Sequence, residues 1–201
     1  MTGARSLFAD LRTRVIWGSA VAILALACIW LGGIWIAILT AVAAGCMMAE
    51  WRMITARGDA TAIRRNVFYI LAVMLAPLAA YGLVDRYAFY VLWIVLTVGV
   101  IFDGLRDETA SLRWSMAGCL YIGVAAIAFV ELRLVEPFGF LTILWAALVV
   151  VATDVGGYFA GRTIGGPKLW PAVSPKKTWA GLAGGVAFAF VTGGLFSWAT
   201  T

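Results

Sequence analysis

From Val15 to Ala49 the chain runs thirty-five residues without a charged side chain. As one helix rising 1.5 Å per residue that run would be about 52 Å long, against a hydrocarbon layer of roughly 30 Å. It has to fold back on itself. Gly32-Gly33, near its middle, supplies the backbone freedom for a tight turn, which predicts two spans at residues 15–31 and 34–49. In lipid every backbone N–H and C=O must be paired, so the spans are helices or strands of a closed barrel. A barrel would show short segments of alternating hydrophobicity, whereas these runs are continuous over 16 or more residues. Composition agrees: the 201 residues are 64% hydrophobic and 12% charged, where a soluble domain is about half apolar and a quarter charged.

Further runs follow at residues 67–84, 87–102, 114–130, 138–153 and 182–198. Pro77 lies inside the third and predicts a kink, because proline removes a helix hydrogen bond. Between the runs lie a basic loop from Arg52 to Asn66, a turn at Asp85-Arg86, a mixed-charge loop at residues 103–113 and a turn with Glu131, Arg133, Glu136 and Pro137. Residues 1–14 carry Arg5, Arg12 and Arg14 and read either as a short interfacial helix or as a solvated terminus. This basic head with its apolar sequel has the outline of a signal peptide, but the apolar run continues and six more follow, so it is read as retained.

Cytoplasmic segments carry the excess of Lys and Arg. With the N-terminus inside, the inner segments hold thirteen of the fifteen basic residues, and the outer ones hold Arg86 and Arg133 alone. The expectation is an all-α integral membrane protein, a polytopic bundle of about seven helices in one domain, with a polar insert at residues 154–181 in the cytoplasm.

The chain has no histidine, which removes histidine-based acid–base chemistry and most zinc sites. Cys28, Cys46 and Cys119 all lie in apolar runs and read as packing residues. Any chemistry therefore rests on Lys, Arg, carboxylates and hydroxyls, and the insert gathers them. Asp154, Tyr158 and Gly161 share one face if the sixth helix continues through them. A carboxylate there lines a polar cavity or binds a cation, or else is solvated at the interface. Gly157, Gly161 and Gly165, four apart, have the spacing that lets helices approach closely. Ser174-Pro175-Lys176-Lys177-Thr178 reads as a helix start, with Ser174 as cap and Pro175 in the first turn. Such a terminus beside two lysines suits a phosphate or pyrophosphate; the alternative is a basic cluster that attracts anionic lipid headgroups.

The segment D-V-G-G-Y-F-A-G-R-T-I-G, followed by K-L-W-P-A-V-S-P-K-K-T-W-A-G-L-A-G-G, resembles the central region of the phosphatidate cytidylyltransferases, or CDP-diacylglycerol synthases. Leu132-Arg133 and Glu50-Trp51 also fit, more weakly. The resemblance implies transfer of a cytidylyl group from CTP to phosphatidic acid, with release of pyrophosphate and a requirement for Mg²⁺. Carried onto this chain it implies Asp154, Lys176 and Lys177 as catalytic residues, and Asp154 as metal ligand. Tyr158, Arg162, Lys168, Ser174 and Thr178 are then implied in substrate binding. Membrane lipids are the expected surroundings, the inner membrane of the cell the location, and nucleic acid is not an expected partner.

This chain departs from the family at Ala180, where a glutamate is usual, and it contains no G-H-G-G or D-R-x-D, the family's later, carboxylate-bearing elements. The resemblance thus covers about the N-terminal two-thirds of a member. It leads to the expectation of a shortened enzyme. The alternative is a non-catalytic membrane component that binds phosphatidate or CTP and draws the missing carboxylates from a partner chain, or from a second copy in a homodimer. A transporter with Asp154 as a cation site would need further paired charges inside the spans, and there are none.

Overall fold

The computed structural model describes residues 2–55, 67–82, 87–104 and 110–200. Among them are seven helices: α1 (Thr2–Leu31), α2 (Gly33–Thr55), α3 (Val67–Gly82), α4 (Tyr87–Gly104), α5 (Ala110–Leu134), α6 (Gly139–Thr163) and α7 (Trp179–Thr200). Two short strands, β1 (Lys168–Trp170) and β2 (Ser174–Thr178), stand between α6 and α7. The described residues of each expected apolar run lie in a helix of their own, apart from Phe138, which precedes α6; residues 83–84 of the third run lie outside the described residues. Four helical segments are long and apolar enough to cross a bilayer, namely Gly33–Thr55, Trp114–Leu134, Gly139–Thr163 and Trp179–Thr200; three more stretches, Val15–Leu31, Val67–Gly82 and Tyr90–Gly99, are apolar but shorter. The turn at Asp85-Arg86, residues 56–66 of the basic loop and residues 105–109 of the mixed-charge loop lie outside the described residues; residues 103–104 and 110–113 of the expected mixed-charge loop belong to α4 and α5.

The chain divides into two compact units, Met1–Phe140 and Leu141–Thr201. In the first, α1 and α2 form the expected hairpin. Gly32 and Gly33 take φ of 62° and 51°, a left-handed backbone that side chains resist, and this reverses the chain within one residue. The basic N-terminal segment is a continuous extension of α1 rather than a separate helix. The core lies among α2, α3, α4 and α5, where Ala37, Ala44 and Met48 meet Tyr69, Val73, Ala76, Leu92, Leu96, Cys119, Ile122 and Val130. Lipid is as apolar as these side chains, so burial from water does not hold the helices together; close packing does. That explains why the buried face of α2 consists so largely of small residues, Ala37, Ala41, Ala44 and Gly45. Pro77 is buried within α3. Cys28 and Cys119 are buried packing residues as expected, whereas Cys46 is exposed; all three are free thiols.

Two polar clusters mark the ends of this unit. At one, the Trp51 indole donates to the carbonyl oxygen of Trp114 at 2.8 Å, and its ring lies 6.5 Å from that of Tyr121. Beside it the buried Arg52 guanidinium donates to the Ser115 hydroxyl and lies 5.7 Å from the Tyr69 ring centroid. The end of α2 therefore meets the start of α5. At the other end Arg133 donates from Nε to the Ile29 carbonyl at 2.8 Å and from Nη2 to the Trp30 carbonyl at 3.1 Å. These are last-turn carbonyls of α1 with no partner inside their helix, and the guanidinium of α5 satisfies them. The turn after α5 holds a cis Glu136-Pro137 bond.

The second unit is an antiparallel pair, α6 and α7, capped at one end by the β1–β2 hairpin. The strands pair Lys168 with Thr178 and Trp170 with Ser174, with an irregularity between the pairs. Gly185 is the one buried residue of α7, while Phe190 and Trp198 are 82% and 81% exposed. An apolar surface that open is suited to lipid and not to water.

Candidate active site

Glycine decides how α6 and α7 meet. A Cβ on Gly156 would lie 2.6 Å from Phe188 Cβ and 2.7 Å from the Gly184 carbonyl; one on Gly181 would lie 3.0 Å from the Gly157 carbonyl. A Cβ on Gly184 would overlap that of Ala160. Only bare backbones fit at this distance. Gly157 and Gly161 take part as their spacing predicted. Gly165 does not: it lies beyond α6 with φ of 67° and open space around it. The partner glycines on α7, Gly181, Gly184 and Gly185, escaped the sequence reading, although their spacing matches that of Gly157 and Gly161.

This crossing fixes the depth of Asp154. Its neighbour Thr153 presents a carbonyl 3.0 Å from where a Gly185 Cβ would stand. Gly185 is six residues into α7, about 9 Å from its start. Asp154 is thus well inside the helix pair and not at its end. Residues 154–163 of the expected insert are helical, so Asp154, Tyr158 and Arg162, spaced four apart, form one exposed polar face of α6. Arg162 donates from Nη1 to the Tyr158 hydroxyl at 2.7 Å, and its guanidinium carbon lies 5.8 Å from the same ring. Tyr158 in turn meets Phe159 edge-on at 5.7 Å. The arginine head is thereby held against Tyr158, itself one turn beyond Asp154.

The expected helix start at Ser174-Pro175 is not formed. Residues 174–178 are β2, and α7 begins at Trp179. Thr178 is the cap: its buried Oγ1 accepts the Gly181 N–H at 3.1 Å. The Trp179 N–H donates to the Pro167 carbonyl at 3.1 Å, closing the base of the hairpin. Two of the first three N–H groups of α7 are therefore taken, and the anion site expected at this helix terminus is not available in that form. The physical reason lies in the prolines. A residue preceding proline is pushed toward extended backbone, and Trp170 and Ser174 both precede one.

The lysines consequently sit on a strand. Lys168, Lys176 and Lys177 are exposed and Ser174 is half-buried. Thr178 is turned to α6, since a Gly161 Cβ would touch its Oγ1 at 3.3 Å. Lys176 and Lys177 lie in the irregular part of the pairing, where Pro175, Lys176 and Lys177 stand opposite Leu169, and both are exposed. Among the described residues no group of three or more Cys, Asp or Glu side chains gathers, and Asp154 is the single carboxylate between Leu141 and Thr201. A two-ion clamp built from several carboxylates does not fit these residues. A single Mg²⁺ shared with phosphate oxygens and water does fit Asp154, since that ion needs only one or two protein carboxylates.

Residues 12–201 match the cytidylyltransferase family. A phosphatidate cytidylyltransferase of Brucella melitensis is 37% identical over 191 residues, covering 92% of this chain and 67% of that protein. Proteins of the same name from Bacillus subtilis and Staphylococcus epidermidis are 42% and 44% identical over 77 and 94 residues, covering 38% and 47% of this chain and 29% and 35% of theirs.

Proposed function

The chain belongs to the cytidylyltransferase family, and from that premise we propose that it transfers CMP from CTP to phosphatidic acid, giving CDP-diacylglycerol and pyrophosphate in phospholipid synthesis. A phosphate oxygen of phosphatidate attacks the α-phosphorus of CTP; the bond from that phosphorus to the bridging oxygen breaks, and pyrophosphate leaves. The observation that carries this reading is the polar face of α6 that runs from Asp154, inside an otherwise apolar helix pair, through Tyr158 to Arg162 at the end that bears the lysine-carrying hairpin. A lipid substrate and a water-soluble one can meet there.

The protein's part is charge placement, the main requirement of such transfers. Arg162, steadied by Tyr158, and Lys176 on the neighbouring hairpin would hold the triphosphate and stabilise charge growing on the leaving pyrophosphate. Lys168 adds to the positive field, and Ser174 can donate to a phosphate oxygen. Thr178 is assigned to holding the hairpin, because its hydroxyl oxygen already caps α7. Asp154 would hold a Mg²⁺ that arrives with the nucleotide and supplies charge neutralisation. The excess of basic residues in alternate loops favours a cytoplasmic position for this end of α6 and α7, on the inner membrane.

Membranes in which this chain is the sole cytidylyltransferase, supplied with CTP, phosphatidate and Mg²⁺, are expected to form CDP-diacylglycerol and pyrophosphate in equal amounts. The lone carboxylate of the second unit favours one other reading, a component that binds CTP or phosphatidate without turnover until a partner chain or second copy supplies further carboxylates. Saturable CTP binding with no lipid product would select that reading.

A further inference from the structure

We propose that the tip of the β1–β2 hairpin, Leu169 to Val173, is seated in the interface of the bilayer, with Lys177 on the headgroups of anionic lipids. The tip sequence is Leu-Trp-Pro-Ala-Val. Of the residues that dominate turns, Gly, Pro, Asn, Asp and Ser, it holds only Pro171, and none of the polar ones. Trp170 is 64% exposed and Val173 72%, and Pro171 and Ala172 between them are exposed as well. The bend is held by the Val173 N–H donating to the Trp170 carbonyl at 3.1 Å, so these apolar groups are displayed by an ordered turn.

What covers them follows from where the hairpin is rooted. Both of its ends are tied to membrane-crossing helices that finish level with one another: Gly161 of α6 meets Gly181 of α7, and the Pro167 carbonyl accepts the Trp179 N–H. From that base to the tip is about four strand residues, or roughly 13 Å. A hairpin of that reach, laid over, stays within the headgroup layer. Tryptophan is the side chain most suited to that layer, having an apolar ring and one N–H donor. Lysines flank the tip on both sides, Lys168 before it and Lys176-Lys177 after it, and all three are exposed. The charge of Lys177 complements an anionic surface, and its aliphatic stem can lie along the same apolar layer as Trp170. The seating requires no turnover, so it stands or falls separately from the proposed reaction.

The test uses the full chain with Cys28, Cys46 and Cys119 replaced by alanine and an environment-sensitive NBD label on Val173→Cys. It is reconstituted in vesicles of phosphatidylcholine alone or mixed with phosphatidylglycerol. The expected result is blue-shifted emission, quenched by lipids carrying a shallow nitroxide and shielded from aqueous iodide. Lys177→Glu should reduce the nitroxide quenching in the anionic vesicles and leave it unchanged in phosphatidylcholine. Ala172→Cys provides a second labelling position should the first variant not assemble. Emission quenched by iodide and not by nitroxide lipid, at both positions, would overturn the proposal in favour of a tip that stands in water. Blue-shifted emission that neither agent quenches would overturn it in favour of a tip covered by protein, from a second copy or another chain.

Discussion

Lys176 and Lys177 lie on β2, in the irregular part of its pairing, and not on a helix. Lys176 is expected to matter to the transfer: Lys176→Ala should lower the rate of CDP-diacylglycerol formation by about 100-fold, the usual loss when one preorganised charge-stabilising donor is removed. Lys177→Ala should cost only about fivefold at low salt, in keeping with roughly 1 kcal/mol for a lysine at an anionic surface. Equal losses in the two variants would contradict this division of roles. Thr178 offers a second residue-scale test. Thr178→Val removes the oxygen that accepts the Gly181 N–H, at a cost of about 1 kcal/mol in stability, and Thr178→Ser, which keeps that oxygen, should recover most of it. Were Thr178 a phosphate ligand alone, the valine variant would lose affinity for CTP at undiminished thermal stability.

Among the elements, the α6–α7 crossing and the α1–α2 hairpin each depend on a few atoms. Gly184→Leu would drive a side chain into Ala160 and the Gly156 carbonyl, and overpacking of this kind costs about 1–3 kcal/mol. A lowered unfolding temperature in detergent, accompanied by loss of activity, is the expected outcome. Arg133→Ala would strip the Ile29 and Trp30 carbonyls of their donors and should likewise lower the unfolding temperature, by the equivalent of about 1–3 kcal/mol. The helices were legible in the sequence because lipid imposes a simple rule: charges interrupt spans, and glycine marks the one reversal without charges. The hairpin was not legible, because Ser174-Pro175 satisfies two opposed rules, proline in a helix's first turn and extended backbone before proline. The X-Pro steps at Trp170-Pro171 and Ser174-Pro175 tip that balance toward strand. The depth of Asp154 was likewise hidden, since it depends on which glycines of α7 face α6, and sequence spacing does not give that pairing.

At the scale of the whole molecule, a membrane-crossing scaffold includes one helix pair whose α6 presents Asp154, Tyr158 and Arg162 on an exposed face, with the lysine-bearing hairpin following it. The small-residue core of the first unit and the glycine crossing of the second both follow from packing in lipid, where burial from water does not drive helix association. The family assignment covers nearly all of the chain, whereas the roles of individual residues rest on local geometry. The most direct test of the central claim is to follow the α-phosphate of CTP, isotopically labelled, in phosphatidate-containing vesicles that hold the purified chain. The account predicts that the label enters the lipid as CDP-diacylglycerol, and that the double variant Asp154→Asn, Lys176→Ala transfers almost none while binding to the vesicles as before. Label entering the lipid at the same rate with both residues replaced would contradict it.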